Sequence, residues 1–399
     1  MTLPDNKLPA APPQISLPAL FLKFLRFGCL AFGGPIAQIA MVKQALVTEG
    51  RWIELERFNR LLAVMQILPG PEAHELCVHM GIIARGRIGG ILAGLGFMLP
   101  GFILMLACGF AYSTLVAGRD TFDSVLLGVQ VAVLAVIARA VQRIGGHVLT
   151  DRWLWALGFI AAAATLADVP FWLPLVAAAF AYAGSTRPGL RVLFAALAMV
   201  AAYALLPATA PAPTLPGGPA QDVTLLALFV AGLKGGLLTF GGAYTAIPYV
   251  REDTVGRGWL GDGEFLDGVA FANMLPAPLV IFATFAGYIA GGVPGALAIT
   301  AGMFLPAFAF SLLLFERLEA VIENQRLHRT LDGVAAAVVG VIAATLLQLG
   351  AAAWARLPDP LLSAPVFVLA LAAAFSLKGG WVAPAIIAAG GAAGWALFG

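Results

Sequence analysis

A cluster of titratable side chains follows a Pro-Gly-Pro string in the first half of the chain. Glu72, His74, Glu75 and His79 come directly after Pro71. On a helix, Glu72, Glu75 and His79 share one face, and carboxyl and imidazole groups in an apolar setting are natural proton carriers. We predict that these three side chains couple protons to the protein's activity. First-turn helix capping by the two glutamates is the alternative.

The histidines of this cluster do not form a zinc motif. Helical zinc-site histidines are four residues apart and share a face, whereas His74 and His79 are five apart. The sequence also contains no haem, flavin or nucleotide fingerprint. We predict no metal, no cofactor, no catalytic residue and no enzymatic activity.

Gly/Pro strings interrupt apolar segments at four places, two in each half of the chain. Proline suits the first turn of a helix, so Pro35 and Pro71 are predicted to start new helices. The free N–H groups and positive dipole ends of such helices favour an anion. Simple kinking of the helices is the alternative. The predicted binding residues in these strings are Phe32, Gly33, Gly34, Pro35, Pro69, Gly70, Pro71, Gly241, Gly242 and Pro276.

Polar residues near these strings complete the predicted anion site. Arg26 and Lys234 each lie six residues before a Phe-Gly-Gly string. One cation from each half suits a dianion, although long basic side chains also extend to the membrane surface. Gln66 and Asn273 lie three residues before the Pro strings and are predicted to donate hydrogen bonds to the anion.

The composition predicts the elements that must position these groups. Of 399 residues, 61% are hydrophobic and only 11% are charged, whereas soluble domains are about a quarter charged. Apolar stretches of the length that a transmembrane helix requires fill the chain from Leu20 to Phe398. The fold class is therefore all-α and polytopic. A net charge of +2 gives no reason to expect a nucleic-acid partner.

An internal duplication is visible at a nearly constant offset that drifts by single positions along the chain. Phe32-Gly33-Gly34 recurs as Phe240-Gly241-Gly242, and Leu68-Pro69-Gly70-Pro71 recurs as Leu275-Pro276-Ala277-Pro278. Glu72, Glu75 and His79 have no titratable counterpart in the second half. The predicted organisation is an N-terminal tail (1–17), a first repeat (18–186), a linker with one transmembrane segment (187–222) and a second repeat (223–399).

About six segments in each half and one in the linker give about 13 segments, and an odd linker segment inverts the second half. With a cytoplasmic N-terminus in the cell inner membrane, 14 basic residues lie inside, 6 outside and 3 within segments, as the positive-inside rule requires. The loop from Lys43 to Arg60 conflicts with this arrangement because it places four basic residues outside. A re-entrant first segment is the alternative.

The combined strings resemble the chromate ion transporter (CHR) family. The resemblance rests on Phe32-Gly33-Gly34-Pro35, on Leu68-Pro69-Gly70-Pro71 with the following Glu72-Ala73, and on Met98-Leu99-Pro100-Gly101. The second half, from Gly241 through Phe265-Leu266-Asp267-Gly268, is similar to the C-terminal domain of two-domain members. The resemblance implies chromate efflux coupled to the proton motive force, with sulfate as a chemical look-alike. Pro276-Ala277-Pro278 departs from the usual Pro-Gly-Pro.

These observations predict a secondary transporter that exports chromate across the lipid bilayer by alternating access. The predicted partners are chromate or sulfate, protons, lipid and, through glycine-rich faces such as Gly390-Gly391 with Gly394, a second copy in a homodimer. A transporter of sulfate or another tetrahedral oxyanion, a passive channel and a membrane-embedded enzyme are the alternatives.

Overall fold

Every regular element that the structure describes is a helix. A computed structural model describes residues 13–65, 69–116, 120–170, 172–183, 222–240, 242–313 and 325–398. The predicted all-α class is therefore confirmed for these residues. Most of the predicted tail and almost all of the predicted linker, including its transmembrane segment, lie outside them.

The first half contains seven of the fourteen described α-helices. A π-helical stretch, Lys43–Glu49, extends α2, and a second one, Tyr112–Val116, extends α4. The helices are α1 (Leu17–Cys29), α2 (Gly34–Val42), α3 (Leu55–Met65), α4 (Glu72–Ala111), α5 (Asp120–Val148), α6 (Arg152–Leu166) and α7 (Trp172–Ala183).

The second half repeats this order. Short 3₁₀ turns, Ala243–Ala246 and Leu279–Ile281, precede α9 and α11. The helices are α8 (Leu225–Leu237), α9 (Ile247–Thr254), α10 (Asp262–Met274), α11 (Phe282–Leu313), α12 (Gln325–Trp354), α13 (Pro360–Ser376) and α14 (Val382–Phe398).

The duplication extends to backbone angles in the middle of α4 and α11. Arg85 and Gly86 have φ/ψ of −145°/30° and 62°/−162°. Gly291 and Gly292, which are their counterparts in the second repeat, have −146°/23° and 61°/−154°. A positive φ suits glycine, which occupies the second position in both repeats.

At these angles the chain reverses, so that α4 and α11 are each two antiparallel arms. In α4 the short arm is 72–84 and the long arm is 87–111. Gly81 lies against Gly89, and Gly90 lies against Ile82. In α11 the arms are 282–290 and 293–313, with Gly287 against Gly295. Glycine permits this close approach because a Cβ would collide with the facing backbone.

The chain also reverses at the Phe-Gly-Gly strings. In the second half Lys234 of α8 lies beside Asp253 of α9, with 3.0 Å between Nζ and Oδ2. A helix that continued in one direction from Lys234 to Asp253 would separate their Cα atoms by about 28 Å. In the first half Phe24 of α1 packs against Trp52, with ring centroids 6.3 Å apart. The first segment of each repeat is therefore a hairpin.

The long arms of α4 and α11 pack against each other in opposite directions. Gly90 lies near Leu312 and Gly94 near Phe308, so residue numbers rise along one arm where they fall along the other. Within each repeat the first helix runs parallel to its long arm, since Leu20 faces Gly89 and Gly28 faces Pro100. The first helix and long arm of one repeat consequently run antiparallel to those of the other.

The last two helices of each repeat pack mainly against the other repeat. In the first half, α6 and α7 pack against α12, where Gly340 lies against Gly158. In the second half, α13 and α14 pack against α5, where Gly390 and Gly394 lie against Gly128. The glycine face of α14 is thus occupied within the chain, which removes it as support for the predicted homodimer.

Several described helices are apolar enough to span a membrane. Four have sufficient length and apolar composition: Glu72–Val116, Phe122–Val148, Leu279–Leu313 and His328–Trp354. Five shorter apolar helices accompany them: Arg152–Leu166, Trp172–Ala183, Leu225–Leu237, Leu361–Ser376 and Val382–Phe398. The chain is thus a polytopic membrane protein; the number of 13 segments stays a prediction.

Candidate functional site

The interrupted segments of the two repeats meet in the interior of the molecule. The backbone N–H of Gly70 donates to the carbonyl oxygen of Thr239, at 2.9 Å. The buried Gln38 side chain donates through Nε2 to the carbonyl oxygens of Ala31, at 2.9 Å, and of Ala277, at 3.0 Å. The Gly70–Thr239 and Gln38–Ala277 contacts each join the region of a Phe-Gly-Gly string in one repeat to the Pro string of the other.

Helices begin immediately after all four strings. Pro35 lies in the first turn of α2, and Pro71 is the residue before α4. In the second half, 3₁₀ turns begin at Ala243 and Leu279. Because the strings meet, the four helix N-termini that follow them converge on the meeting point. The first turns of helices carry N–H groups without intrahelical partners.

Glycines give the strings their sharp turns. Gly33, Gly34, Gly70 and Gly242 have φ values of 86°, 74°, 147° and 134°, which side chains disfavour. Gly33 also lies against Gly380, where a Cβ would collide with the facing Cα. Phe32 stacks on Trp381, with ring centroids 4.9 Å apart. The loop between α13 and α14 therefore covers the first Phe-Gly-Gly string.

The predicted proton-coupling residues are buried beside these strings. Glu72 is 9% exposed, Glu75 1% and His79 1%. Glu75 lies against Gly70, and within the described ranges neither of its carboxyl oxygens has a hydrogen-bond partner. Arg57 lies within electrostatic range of His79. The three residues occupy successive turns that lead away from the meeting point.

His74 has a different environment from its neighbours. It is fully buried, and its ring packs edge-on against Phe304 and Phe308 of the other repeat, with centroids 4.9 and 4.8 Å apart. Its imidazole therefore contributes to packing between the long arm of α11 and the short arm of α4.

The predicted cations Arg26 and Lys234 have different environments. Lys234 is paired with Asp253 and approaches Glu252 at 3.9 Å. Arg26 is exposed. Their direct binding of an anion stays a prediction, and for Lys234 the carboxylates already balance the charge.

A third cation, Arg143, lies near the second Phe-Gly-Gly string and was not predicted as a site residue. It is half-buried on α5, within electrostatic range of Glu72 and Tyr244. Its neighbour Ile144 faces Gly242. Its counterpart in the second repeat is Gln348, and this Arg/Gln asymmetry is the sequence signal that could have identified it.

Asn273 is one of the predicted hydrogen-bond donors. Its Oδ1 accepts from the hydroxyl of Tyr244 at 2.6 Å, and its Nδ2 donates to the carbonyl oxygen of Val269 at 2.8 Å. Tyr244 thereby joins the second Phe-Gly-Gly string to the end of α10. The predicted residues Gln66 and Gly241 lie outside the described residues, whereas Pro69 and Pro276 are partly buried at their strings.

This arrangement combines a polar meeting point with buried carboxyl groups at its edge. It can bind an anion through N–H groups and a cation, and it can hold protons on Glu72 and Glu75. Within the described part of the chain, no three His, Cys, Asp or Glu side chains are grouped to hold a metal ion.

Comparison with known proteins identifies the family. The family model described as "Chromate transporter" matches residues 18–185 and again residues 226–395. The chain belongs to the chromate transporter family. The two matches coincide with the two halves of the fold, and the resemblance seen in the sequence is confirmed. Membership places the chain among transporters.

Curated relatives of the family are similar over nearly their whole length. The chain is 53% identical over 399 residues to the chromate transport protein of Pseudomonas aeruginosa, covering 99% of this chain and 95% of the relative. It is 31% identical to the chromate transport protein of Cupriavidus metallidurans, covering 90% and 89%. An uncharacterized transporter of Methanocaldococcus jannaschii is 26% identical, covering 82% and 83%. No solved structure matches the chain.

Proposed function

We propose that this protein exports chromate from the cytoplasm by alternating access, coupled to the proton motive force. The observation that supports chromate as the substrate is the near full-length similarity to a chromate transport protein at 53% identity. The substrate binds where the four interrupted segments meet, and the residues around that point hold the anion and the coupling protons.

The first support for this mechanism is the opposed direction of the two repeats. Inverted repeats commonly place a transport site near the bilayer midplane, where discontinuous helices meet. Here the long arms of α4 and α11 are antiparallel, and the Gly70 to Thr239 contact lies between the repeats. We infer that the halves are inverted in the membrane and that each opens the site to one face.

The hairpins at the Phe-Gly-Gly strings support a cytoplasmic N-terminus. If the first segment of each repeat is re-entrant, the basic loop from Lys43 to Arg60 returns to the cytoplasmic side, next to Arg85 and Arg87. In the second repeat, the same re-entrant arrangement assigns Arg251 and Arg257 to the outer side. The count of basic residues inside and outside changes from 14 and 6 to 16 and 4, which agrees better with the positive-inside rule.

Anion binding is assigned to the helix N-termini and to Arg143. Backbone N–H groups at helix starts favour anions, and a guanidinium fits the paired oxygens of a tetrahedral oxyanion. Arg143 has no side-chain hydrogen bond or ion pair among the residues that the structure describes. It is therefore available to a ligand, and it lies within electrostatic range of Tyr244 and Glu72.

Proton coupling is assigned to Glu75 with Glu72 and His79. An ionised carboxylate in the interior without a partner costs several kcal/mol, and protonation removes that cost. Glu75 is in this situation and contacts Gly70, the residue that joins the two repeats. Protonation of Glu75 would thus act directly on the contact between the first Pro string and Thr239.

Chromate accumulation in everted membrane vesicles tests the proposal. We expect uptake when an acid-inside proton gradient is imposed, loss of uptake with a protonophore, and no uptake in membranes from cells with the empty vector. Sulfate is added as a competitor. Uptake of sulfate without chromate would retain the mechanism and change the substrate. Chromate flux that only follows its own gradient would reject a coupled carrier.

A further inference from the structure

A buried carboxyl in the second repeat is held by two side chains of the first. Asp267 of α10 is 1% exposed. The hydroxyl of Tyr112, just after α4, donates to its Oδ2 at 3.0 Å, and Nε2 of Gln130 on α5 donates to its Oδ1 at 2.9 Å. This network lies outside the Glu72 cluster and was not identified from the sequence.

Asp267 lies between the start of α10 and the strings at the centre. It is five residues after Asp262, where α10 begins, and six residues before Asn273, which bonds to Tyr244. Arg356 and Glu264 lie within electrostatic range of Asp267, and Asp123 within range of Tyr112. The exposed Arg356 contacts the α10 backbone at Gly263, so this end of the helix is close to the molecular surface.

The partners of Asp267 can serve both protonation states of a carboxyl group. Tyrosine and glutamine side chains each donate and accept hydrogen bonds, whereas a guanidinium or a backbone N–H only donates. The Oε1 atom of Gln130 is buried and has no partner among the described residues. If Asp267 takes up a proton, rotation of the Gln130 amide turns this oxygen toward the new O–H donor.

We propose that Asp267 is the proton-binding carboxyl of the second repeat and takes up its proton from the face opposite to that reached from His79. This inference rests on the proposed proton coupling and extends it. The proton comes from the aqueous phase on that face, binds one carboxyl oxygen and is released to water on the other face when the site reopens there, which gives the net proton movement that coupling requires. No other group is consumed.

The asymmetry of the repeats supports this assignment. The counterparts of Glu72, Glu75 and His79 in the second repeat are apolar, and the counterpart of Asp267 in the first repeat is Arg60. Each repeat thus has its own titratable group. The short arm of α4, which carries Glu72, Glu75 and His79, packs with α3. Because the repeats are inferred to be inverted, Asp267 on α10 lies on the opposite side of the meeting point from this cluster.

The test compares Asp267→Asn with wild type and with Glu56→Gln, which removes an exposed carboxyl of α3 outside both networks. In everted vesicles we expect Asp267→Asn to exchange labelled chromate for chromate at near wild-type rates. Accumulation driven by an imposed pH gradient should fall at least about tenfold. Gradient-driven accumulation at wild-type level by correctly inserted Asp267→Asn would overturn the inference.

Tyr112→Phe provides a second measurement that keeps the carboxyl and its partner Gln130. Loss of a donor disfavours the ionised carboxylate, so the midpoint of the pH profile should move to higher pH by about one unit. An unchanged midpoint would contradict a protonation role even if Asp267→Asn fails to insert. If wild type itself shows no proton-driven chromate accumulation, the proposed function fails, and not only the role of Asp267.

Discussion

The N–H of Gly70 and the carbonyl oxygen of Thr239 are 2.9 Å apart, although they belong to different repeats. This bond joins the first Pro string to the residue before the second Phe-Gly-Gly string. The Gln38 amide makes the corresponding connection on the other side, to Ala277. The binding site proposed here is thus built jointly by both repeats, and neither half contains it alone.

Arg143→Gln tests the cation assigned to the anion. We expect the KM for chromate to rise about ten- to hundredfold, because a hydrogen bond to a charged group contributes about 1.5–3 kcal/mol. Transport kinetics in vesicles measure this change. Arg139→Gln is the matched control: Arg139 lies one turn earlier on α5 and packs over Phe375 at 4.7 Å. An equal effect of both substitutions would argue against a specific role for Arg143.

Glu75→Gln and Glu72→Gln test proton coupling from the first repeat. Each substitution retains the shape of the side chain and removes its titratable proton. We expect transport by Glu75→Gln to become insensitive to an imposed pH gradient, and Glu72→Gln to weaken the response. Chromate uptake is measured at several imposed gradients. Retained sensitivity in both variants would reject this cluster as the coupling site.

Arg26→Gln and Lys234→Gln test the paired-cation prediction. Because Lys234 is already paired with Asp253, we expect its loss mainly to destabilise the α8–α9 hairpin, with a lower melting temperature in detergent and little change in KM. A large rise in KM for both variants, at unchanged stability, would instead support direct binding of the anion by the two cations.

Cysteine accessibility tests the re-entrant hairpins. In a variant whose three natural cysteines are serine, Glu54→Cys, Arg85→Cys and Arg257→Cys are labelled with an impermeant maleimide. We expect positions 54 and 85 to label from the cytoplasmic face and position 257 from the opposite face. If the first segments instead cross the membrane completely, positions 54 and 85 will label from opposite faces.

Gly33→Ala tests the tight turn at the first Phe-Gly-Gly string. Its φ of 86° disfavours a side chain, and the added Cβ would collide with the Cα of Gly380. We expect a melting temperature several degrees lower, corresponding to about 1–2 kcal/mol, together with reduced transport. Gly350→Ala, with open space around the added Cβ in α12, should leave both unchanged.

The sequence predicted the helical class, the duplication and the positions of the breaks, because each of these has a local signal. Pro35 and Pro71 fall at helix starts as expected. A Gly/Pro string does not specify how far the chain turns, so the hairpins remained an alternative. The partner of Lys234 lies on the next helix, beyond the Phe-Gly-Gly string, and becomes visible only when the reversal is known.

Other site residues required the tertiary structure for a different reason. Gln38 bonds to the other repeat and Arg143 lies within electrostatic range of Tyr244 in the other repeat. Nothing in their local sequence distinguishes them from ordinary helix residues. Asp267 lies in a string that the family resemblance includes, yet its donors, Tyr112 and Gln130, come from the other repeat. Comparing each residue with its repeat counterpart is the sequence test that could have singled them out.

The exchange of terminal helices between repeats imposes an order on biosynthesis. α5 is complete long before α14, the helix that covers its glycine face and the last of the described helices, leaves the ribosome. Until then Gly128 faces lipid or the insertion machinery, and the first half cannot adopt its final packing. Final packing of the first half must therefore wait for α14, and truncations that remove this helix should cause degradation of the whole chain.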